Sequence, residues 1–326
     1  MEQAAIEAFT PSVREAVFRS RGIDASNVVD LGGFESFVFH NPVRDTIVRV
    51  THRSHREREQ LLAEVEWIAD LFSRGAAVSK PVPAADGNWV EAVDDFFVCE
   101  FHRAPGRLIT EADWNDALLS AWGESIGRFH RLASDFSPVH RRIDWTADEN
   151  FAVAGRVPAD QPRIHEAMAA ALSTMRSLPV DAAGFGLIHC DAHAGNFFID
   201  DGRLTFFDFD DACYCWYGYD ITTVLFGAVR QSWMAHEPAA ETAEAARFLP
   251  PFLEGYAREY DPAHLMVEAW PLFLKVREIG LYGVILSHEI DVDSGLDDYP
   301  TNFMRGRRER IEAGEPYLDL DFASLF

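Results

Sequence analysis

The most informative stretch of the chain is residues 189–196, which read HCDAHAGN and are followed after a short interval by Asp208. The stretch sets a carboxylate, Asp191, and an amide, Asn196, at a fixed offset. Residues 197–207 are mostly apolar with a turn at their centre, and this pattern predicts a β-hairpin. Asp208 would then stand at the end of the returning strand, within reach of the loop that carries the other two side chains.

This set of side chains suits phosphoryl transfer from a nucleotide. The reaction needs a carboxylate beside the attacking hydroxyl, and oxygen ligands for the Mg²⁺ ions that bridge the phosphates. Asp191 can supply the first, and Asn196 and Asp208 can supply the second. The alternative is that all three are ordinary polar turn residues, since Asp and Asn are common in turns, but their spacing argues against it. Asp210 either assists the metal or faces solvent.

Through this segment the chain resembles the aminoglycoside phosphotransferase and choline kinase-like phosphotransferase enzyme family, which has a protein kinase-like fold. The pattern His-x-Asp-x-x-x-x-Asn followed by an Asp carries the likeness. The resemblance implies that Asp191 is the catalytic base and that Asn196 and Asp208 bind Mg²⁺. It also implies that His189 braces the loop. Asp220 matches an Asp of the family that hydrogen-bonds this loop.

The resemblance extends to nucleotide binding in the first part of the chain. It assigns ATP contacts to three features: a glycine pair with the loop beyond it, an ion pair, and the segment that meets adenine. The residues, in that order, are Gly32, Gly33 and Ser36, then Arg49 and Glu64, then Glu100 and Phe101. The usual glycine-rich loop is reduced to the glycine pair. Arg49 stands where the family has a lysine and keeps the charge with a forked geometry. Arg49 as an ordinary strand residue and Glu64 as a solvated helix residue stay open, as do Glu59 and Glu66 as partners of Arg49.

Apolar periodicity predicts an α+β fold of two lobes, with a small antiparallel sheet and one long helix in residues 1–102, and a larger, mainly helical lobe in residues 103–326. Helices are predicted at 2–20, 55–73, 114–133, 161–178, 217–232, 239–260 and 262–287. Strands are predicted near 28–31, 37–39, 45–50, 81–83, 96–99, 187–188, 197–200 and 204–207. The aromatic-rich run 214–219 is interpreted as packing at the start of a helix, with a platform for the substrate as the alternative.

Composition narrows the classes of partner. The 326 residues include 29 Lys and Arg against 53 Asp and Glu, for a net charge of −24, which excludes nucleic-acid binding by a basic surface. We expect no membrane association, because no apolar run approaches the roughly 20 residues that cross a bilayer, and the start has no signal-peptide pattern. These features favour a cytoplasmic protein. The acidity is compatible with a cationic acceptor.

The resulting expectation is a kinase that moves the γ-phosphate of ATP, with Mg²⁺, to a hydroxyl of a small molecule of aminoglycoside, choline or amino-alcohol type. One alternative is a protein Ser/Thr kinase of the bacterial stress-response type, which has a similar Asp-x-His-Ala-Gly-Asn loop, although the Ala-Pro-Glu and Asp-Phe-Gly motifs of protein kinases are missing. The other is a catalytically inactive nucleotide-binding regulatory module, which an intact set of Asp191, Asn196 and Asp208 disfavours. The identity of the acceptor and the oligomeric state stay open.

Overall fold

The structure is a computed structural model that describes residues 3–229, 238–287 and 299–325. The chain forms two compact units. The first comprises Met1–Arg107, Phe136–Arg142 and Phe197–Asp210, and the second comprises Leu108–Asp135, Ile143–Asn196 and Asp211–Phe326. The sequence predicted one boundary between residues 102 and 103, whereas two later segments also fold with the first unit.

The first unit contains an antiparallel sheet of five strands in the order β1-β2-β3-β5-β4. Its strands are β1 (Val29–Gly32), β2 (Phe37–Asn41), β3 (Thr46–His52), β4 (Glu91–Val93) and β5 (Phe96–His102). Its helices are α1 (Gln3–Ala8), α2 (Pro11–Ser20) and α3 (Arg58–Ser73). The predicted α+β class, with an antiparallel sheet and one long helix at the start, is confirmed.

The single helix predicted over residues 2–20 is wrong, because the chain breaks before Pro11. A residue that precedes proline is disfavoured in the helical region, and Thr10 instead has extended backbone and caps α2, accepting a hydrogen bond from the Val13 amide at 3.4 Å. Val17 and Phe18 of α2 then pack fully buried against apolar side chains of β2, β3 and β5. This packing forms the core of the first unit.

The predicted hairpin is present as β7 (Phe197–Asp200) and β8 (Arg203–Phe206), with Phe197 opposite Phe206. It joins the first unit through backbone contacts: the amide of Ser79 donates to the carbonyl of Phe206 at 2.8 Å. At the other strand, a Cβ on Gly106 would lie 2.1 Å from the carbonyl oxygen of Ile199. The hairpin therefore ends, at Asp208, on a support built by the first unit.

The second unit is mainly helical, as predicted. Its helices are α4 (Asp116–Ala133), α5 (Pro162–Arg176), α6 (Tyr217–Ala228), α7 (Pro238–Tyr256), α8 (Trp270–Ser287), α9 (Tyr299–Met304) and α10 (Arg307–Ala313). The two strands β6 (Phe185–Ile188) and β9 (Cys213–Trp216) pair with each other. Among the described helices, none combines the length and apolar character that a membrane crossing needs.

One prediction in this unit is wrong, and one reaches beyond the described residues. The helix predicted from residue 217 does start at Tyr217, and the part of the aromatic run before it belongs to strand β9. The helix predicted over 262–287 starts at Trp270, because Met266 has a left-handed backbone with φ of 50° and separates two short 3₁₀ turns. Of the helix predicted to Ser232, residues 230–232 lie outside the described chain.

Helices α4 and α7 approach each other backbone to backbone. A Cβ on Gly123 would lie 1.8 Å from the carbonyl oxygen of Phe252, and a Cβ on Gly255 would lie 1.9 Å from that of Ser120. Glycine is disfavoured inside helices unless packing requires it. Here it lets the two helices pack without intervening side chains.

We therefore expect Gly123→Ala to lower the free energy of unfolding by about 1–3 kcal/mol, because the added methyl forces the two backbones apart. The measurement is a urea unfolding curve. Gly283→Ala in α8 is the matched control, since its Cβ would meet side-chain atoms at 3.3 Å or more, and we expect it to stay within about 1 kcal/mol of the wild-type protein. Equal stability of the two variants would contradict this account of the helix contact.

Candidate active site

The loop at residues 189–196 is hydrogen-bonded at its start to the carboxylate of Asp220 on α6. Its oxygens accept hydrogen bonds from the backbone amides of His189, at 3.2 Å, and Cys190, at 2.8 Å. Asp220 is fully buried, and Cys190 has a positive φ of 67°, which turns the chain sharply just before Asp191. The predicted hydrogen bonding of the loop to Asp220 is confirmed, with the loop amides as donors.

A second layer of hydrogen bonds orients Asp220. The Nε2 atom of His130 on α4 lies 3.1 Å from an Asp220 oxygen, and its Nδ1 atom lies 2.9 Å from the hydroxyl of Tyr256 on α7. Burial lowers the pKa of His130, against the opposing effect of Asp220, so the ring is neutral near pH 7. A neutral ring donates from Nε2 to Asp220 and accepts at Nδ1 from the tyrosine. Three donors thus satisfy one buried carboxylate.

The carboxylate of Asp191 is surrounded by cationic and amide donors within the second unit. Its Oδ2 atom accepts from Nδ2 of Asn196 at 3.0 Å and lies 3.4 Å from Nε2 of His193. Its Oδ1 atom lies 2.5 Å from Nη2 of Arg277 on α8. Burial would raise the pKa of Asp191, but His193 and Arg277 outweigh it and hold that pKa well below its usual range. Asp191 is therefore ionised and able to accept a hydrogen bond from a hydroxyl.

His189 and Asn196 shape the loop that presents Asp191. The His189 ring is fully buried, and its Nδ1 atom lies 3.4 Å from the backbone amide of Asp191, which fits the bracing role expected of it. Nδ2 of Asn196 donates to the backbone carbonyl of Asp191 at 2.8 Å. This leaves the side-chain oxygen of Asn196 as the atom that could bind a metal ion.

The first unit contains a cavity of about 240 Å³. Its lining combines apolar side chains of the sheet, of α3 and of the hairpin with a few charged groups, and comprises Leu31, Val38, Ile47, Arg49, Glu64, Ile68, Ser79, Phe101, His102, Arg103, Ala104, Phe198, Phe207, Asp208 and Phe209. The cavity thus brings together four of the residues predicted for nucleotide or metal binding: Arg49, Glu64, Phe101 and Asp208. An apolar cavity with few convergent polar groups is typical of a ligand site.

Arg49 and Glu64 form a buried bidentate ion pair, with Nη1 to Oε1 at 2.9 Å and Nη2 to Oε2 at 2.5 Å. The structure thus excludes Glu64 as a solvated helix residue. Although burial would lower the pKa of Arg49, Glu64 and Asp210 raise it well above its usual value. Nη1 also lies 3.7 Å from Oδ1 of Asp208. Within the described chain, the buried Nε atom of Arg49 has no hydrogen-bond partner, and an anionic phosphate would supply one.

Asp208 has a constrained backbone, and the residue that follows it packs against α3. Asp208 has a φ of 62°, which is uncommon outside glycine and marks a constrained site, and its side chain is 55% exposed. The Phe209 ring meets the Trp67 ring of α3 edge to face, with centroids 5.3 Å apart. The backbone conformation of Asp208 and the packing of Phe209 place the Asp208 carboxylate at the cavity wall, where it could bind a metal ion.

Asp210 is buried, so the alternative that it faces solvent is wrong. Its Oδ2 atom lies 2.7 Å from Nε2 of His55 and 3.2 Å from Nε of Arg56, and Arg142 donates to its backbone carbonyl. Burial would raise the pKa of Asp210, but Arg56 and His55 lower it well below its usual value. The residue therefore anchors the chain beyond Asp208 to the start of α3.

The predicted glycine pair forms a tight turn but does not line the cavity. Gly32 and Gly33 both have positive φ, and a Cβ on Gly33 would lie 1.9 Å from the carbonyl oxygen of Ser36. The hydroxyl of Ser36 is 2.9 Å from that of Thr51, within the sheet. ATP contacts by these three residues remain predictions.

Glu100 is also placed away from the cavity lining. Its side chain accepts from the Thr46 hydroxyl at 2.6 Å, and its backbone carbonyl accepts from the Val82 amide at 2.8 Å. The cavity is instead edged by Phe101 and by residues 102–104. If adenine binds the backbone here, residues 102–104 are better placed than Glu100.

Sequence reasoning missed Arg277, which contributes the shortest contact to Asp191, and the pair His55 and Arg56. Arg277 and Glu278, together with Lys275, interrupt the mainly apolar sequence of α8, and this interruption is the signal that the sequence offers. His55 and Arg56 precede α3, far along the chain from Asp210. Nothing local in the sequence connects them.

The chain is similar to known phosphotransferases in sequence. The model of the phosphotransferase enzyme family matches residues 29–266. The amicoumacin kinase of Bacillus subtilis (strain 168) is 31% identical over 316 residues, which cover 93% of this chain and 92% of that protein.

Solved structures of kinases are also similar to this chain. An amicoumacin kinase in complex with AMP-PNP, Ca²⁺ and Ami superposes with a TM-score of 0.90 at 28% identity, covering 100% of both chains. A microcompartment-associated aminopropanol kinase reaches a TM-score of 0.68 at 19% identity, over 94% of this chain and 98% of that one. The second likeness shows the fold alone.

We expect Asp220→Asn to lower the free energy of unfolding by about 3 kcal/mol, because an amide cannot accept from all three buried donors and turns its own N–H groups toward one of them. The readout is urea unfolding. Asp261→Asn serves as the control, since the Asp261 side chain accepts from the Ala263 amide at 3.0 Å in an exposed turn, and should cost less than about 1 kcal/mol. A similar small cost for both variants would contradict the bracing role of Asp220.

Proposed function

The chain belongs to the phosphotransferase enzyme family and is a kinase of small-molecule hydroxyl groups, and we propose that its acceptor is amicoumacin or a molecule closely similar to it. The observation that carries the proposal is the match to amicoumacin kinases over the whole chain, at a TM-score of 0.90. ATP and a divalent metal ion are its cofactors, as the AMP-PNP and Ca²⁺ of that neighbour indicate. Neither the protein kinase alternative nor the inactive module is supported by these relatives.

We assign the base to Asp191. Its ionised carboxylate accepts a hydrogen bond from the acceptor hydroxyl and orients that oxygen toward the phosphorus atom. His189 and Asp220 keep the loop in the geometry that this orientation requires. Positioning of this kind is the main contribution of the protein to phosphoryl transfer.

We assign metal binding to Asn196 and Asp208, whose oxygens are hard ligands suited to Mg²⁺. When bound, the metal neutralises charge on the phosphate oxygens. Arg49 binds phosphate with the donor that it does not share with Glu64. Because the guanidinium is already oriented by Glu64, little entropy is lost when a phosphate binds it. A cytoplasmic location and a cationic group on the acceptor stay predictions, the second supported by the net charge of −24.

We expect wild-type protein with MgATP to phosphorylate amicoumacin, with the product detected by mass spectrometry. Asp191→Asn should reduce the rate by roughly 10²- to 10⁴-fold while MgATP binding, measured by calorimetry, stays within a factor of about three. A wild-type rate in Asp191→Asn would contradict the assignment of the base. Absence of turnover with amicoumacin, together with turnover of another small alcohol, would contradict the proposed acceptor.

We expect Asp208→Asn to weaken MgATP binding by at least about tenfold, because the replacement removes a negative oxygen ligand. Asp201→Asn is the matched control: Asp201 also has a positive φ, of 48°, and asparagine tolerates that backbone. The control should bind MgATP like the wild-type protein. Unchanged affinity in Asp208→Asn would place the metal ligand elsewhere.

A further inference from the structure

We propose that Arg277 selects the acceptor, by binding an oxygen atom on the carbon adjacent to the one that bears the reacting hydroxyl and by disfavouring acceptors that carry an ammonium group on that adjacent carbon. The proposal rests on the proposed function, because it takes Asp191 as the base. Arg277 belongs to α8, which contributes no other residue to the site described above.

The two oxygens of Asp191 differ in how many donors they already have. Oδ2 accepts from Asn196 at 3.0 Å and lies 3.4 Å from His193, whereas the donor shown on Oδ1 among the described residues is Arg277, at 2.5 Å. A carboxylate oxygen has about two lone-pair positions. Oδ1 therefore keeps one position for the acceptor hydroxyl, and that hydroxyl binds beside the guanidinium.

Arg277 has donor capacity left for a ligand at this point. Its Nε atom is buried and has no hydrogen-bond partner in the described chain. The adjacent Glu278 does not supply one, because that carboxylate pairs with Arg307 at 2.6 Å. A buried donor without an acceptor is costly, and guanidinium groups bind planar oxygen groups well. An oxygen on the carbon adjacent to the one that bears the reacting hydroxyl would satisfy this donor.

The same geometry penalises an amine at that position. An ammonium group two carbons from the hydroxyl oxygen would stand about 5 Å from the guanidinium, whose repulsion the Asp191 carboxylate offsets in part. The ammonium group cannot accept from Nε, and leaving this buried donor unpaired weakens binding by roughly ten- to a hundredfold relative to an oxygen. Any cationic group of the acceptor would thus lie farther from the reacting hydroxyl. The acidic character of the chain as a whole does not conflict with this, since the local charge beside Asp191 is positive.

The test uses two probes that share a secondary alcohol and differ only in the neighbouring group. Lactamide carries a carbonyl oxygen there, and 1-amino-2-propanol carries an aminomethyl group. Binding of each is measured by calorimetric titration in the presence of Mg²⁺ and AMP-PNP. Wild-type protein should bind lactamide at least tenfold more tightly than the amine.

Variants of Arg277 should then change the preference between the probes, an effect that a purely structural residue would not produce. Arg277→Gln should weaken lactamide and strengthen 1-amino-2-propanol, so that the ratio falls to about one or inverts. Arg277→Lys keeps the charge without the fork and should weaken lactamide while still rejecting the amine; it also serves if Arg277→Gln fails to fold. Lys275→Gln, on the same helix, is the control and should keep the wild-type ratio.

MgATP binding, measured on the same samples, separates this proposal from the proposed function. If the wild-type protein binds MgATP but binds the amine as tightly as lactamide, or binds neither probe at 100-fold molar excess, the role of Arg277 is overturned and the kinase assignment stands. An unchanged ratio in Arg277→Gln overturns it equally. Failure to bind MgATP would count against the kinase assignment instead.

Discussion

The buried carboxylate of Asp220 is the constraint on which the catalytic loop depends. It accepts from two backbone amides of the loop and from His130, so a single charged group sets the direction of the chain just before Asp191. Burying a carboxylate is unfavourable unless hydrogen-bond donors compensate for the hydration that it loses. The loop, α4, α6 and α7 must therefore be assembled together before Asp191 points correctly.

The local part of this arrangement could be predicted from the sequence. Asp191, Asn196, Asp208 and Asp220 lie within one short region, and the hairpin between them has clear periodicity and a clear turn. Contacts between distant segments could not be predicted. Arg277 reaches Asp191 from a helix far along the chain, where an arginine in an apolar pattern signals burial but not its partner.

Around Arg49, too, only some of the contacts could be predicted from the sequence. The ion pair with Glu64 was predicted, because a strand and the following helix are neighbours in sequence as well as in space. Glu100 was predicted to follow the strand and meet adenine, but it lies within β5, where hydrogen bonds to Thr46 and Val82 engage it. Strand patterns indicate which residues are buried; they do not indicate which polar atoms are already satisfied.

The side chains that brace the base and the side chain that faces its acceptor lie on different helices, since Arg277 belongs to α8. The loop of the base is braced by α4, α6 and α7, while its neighbour on the acceptor side comes from α8, which packs against α6. The three donors to Asp220 described above do not include Arg277, so a substitution at residue 277 leaves those hydrogen bonds in place. A scaffold of this kind allows new substrates to be acquired by gene duplication and drift while the phosphoryl-transfer chemistry is inherited intact.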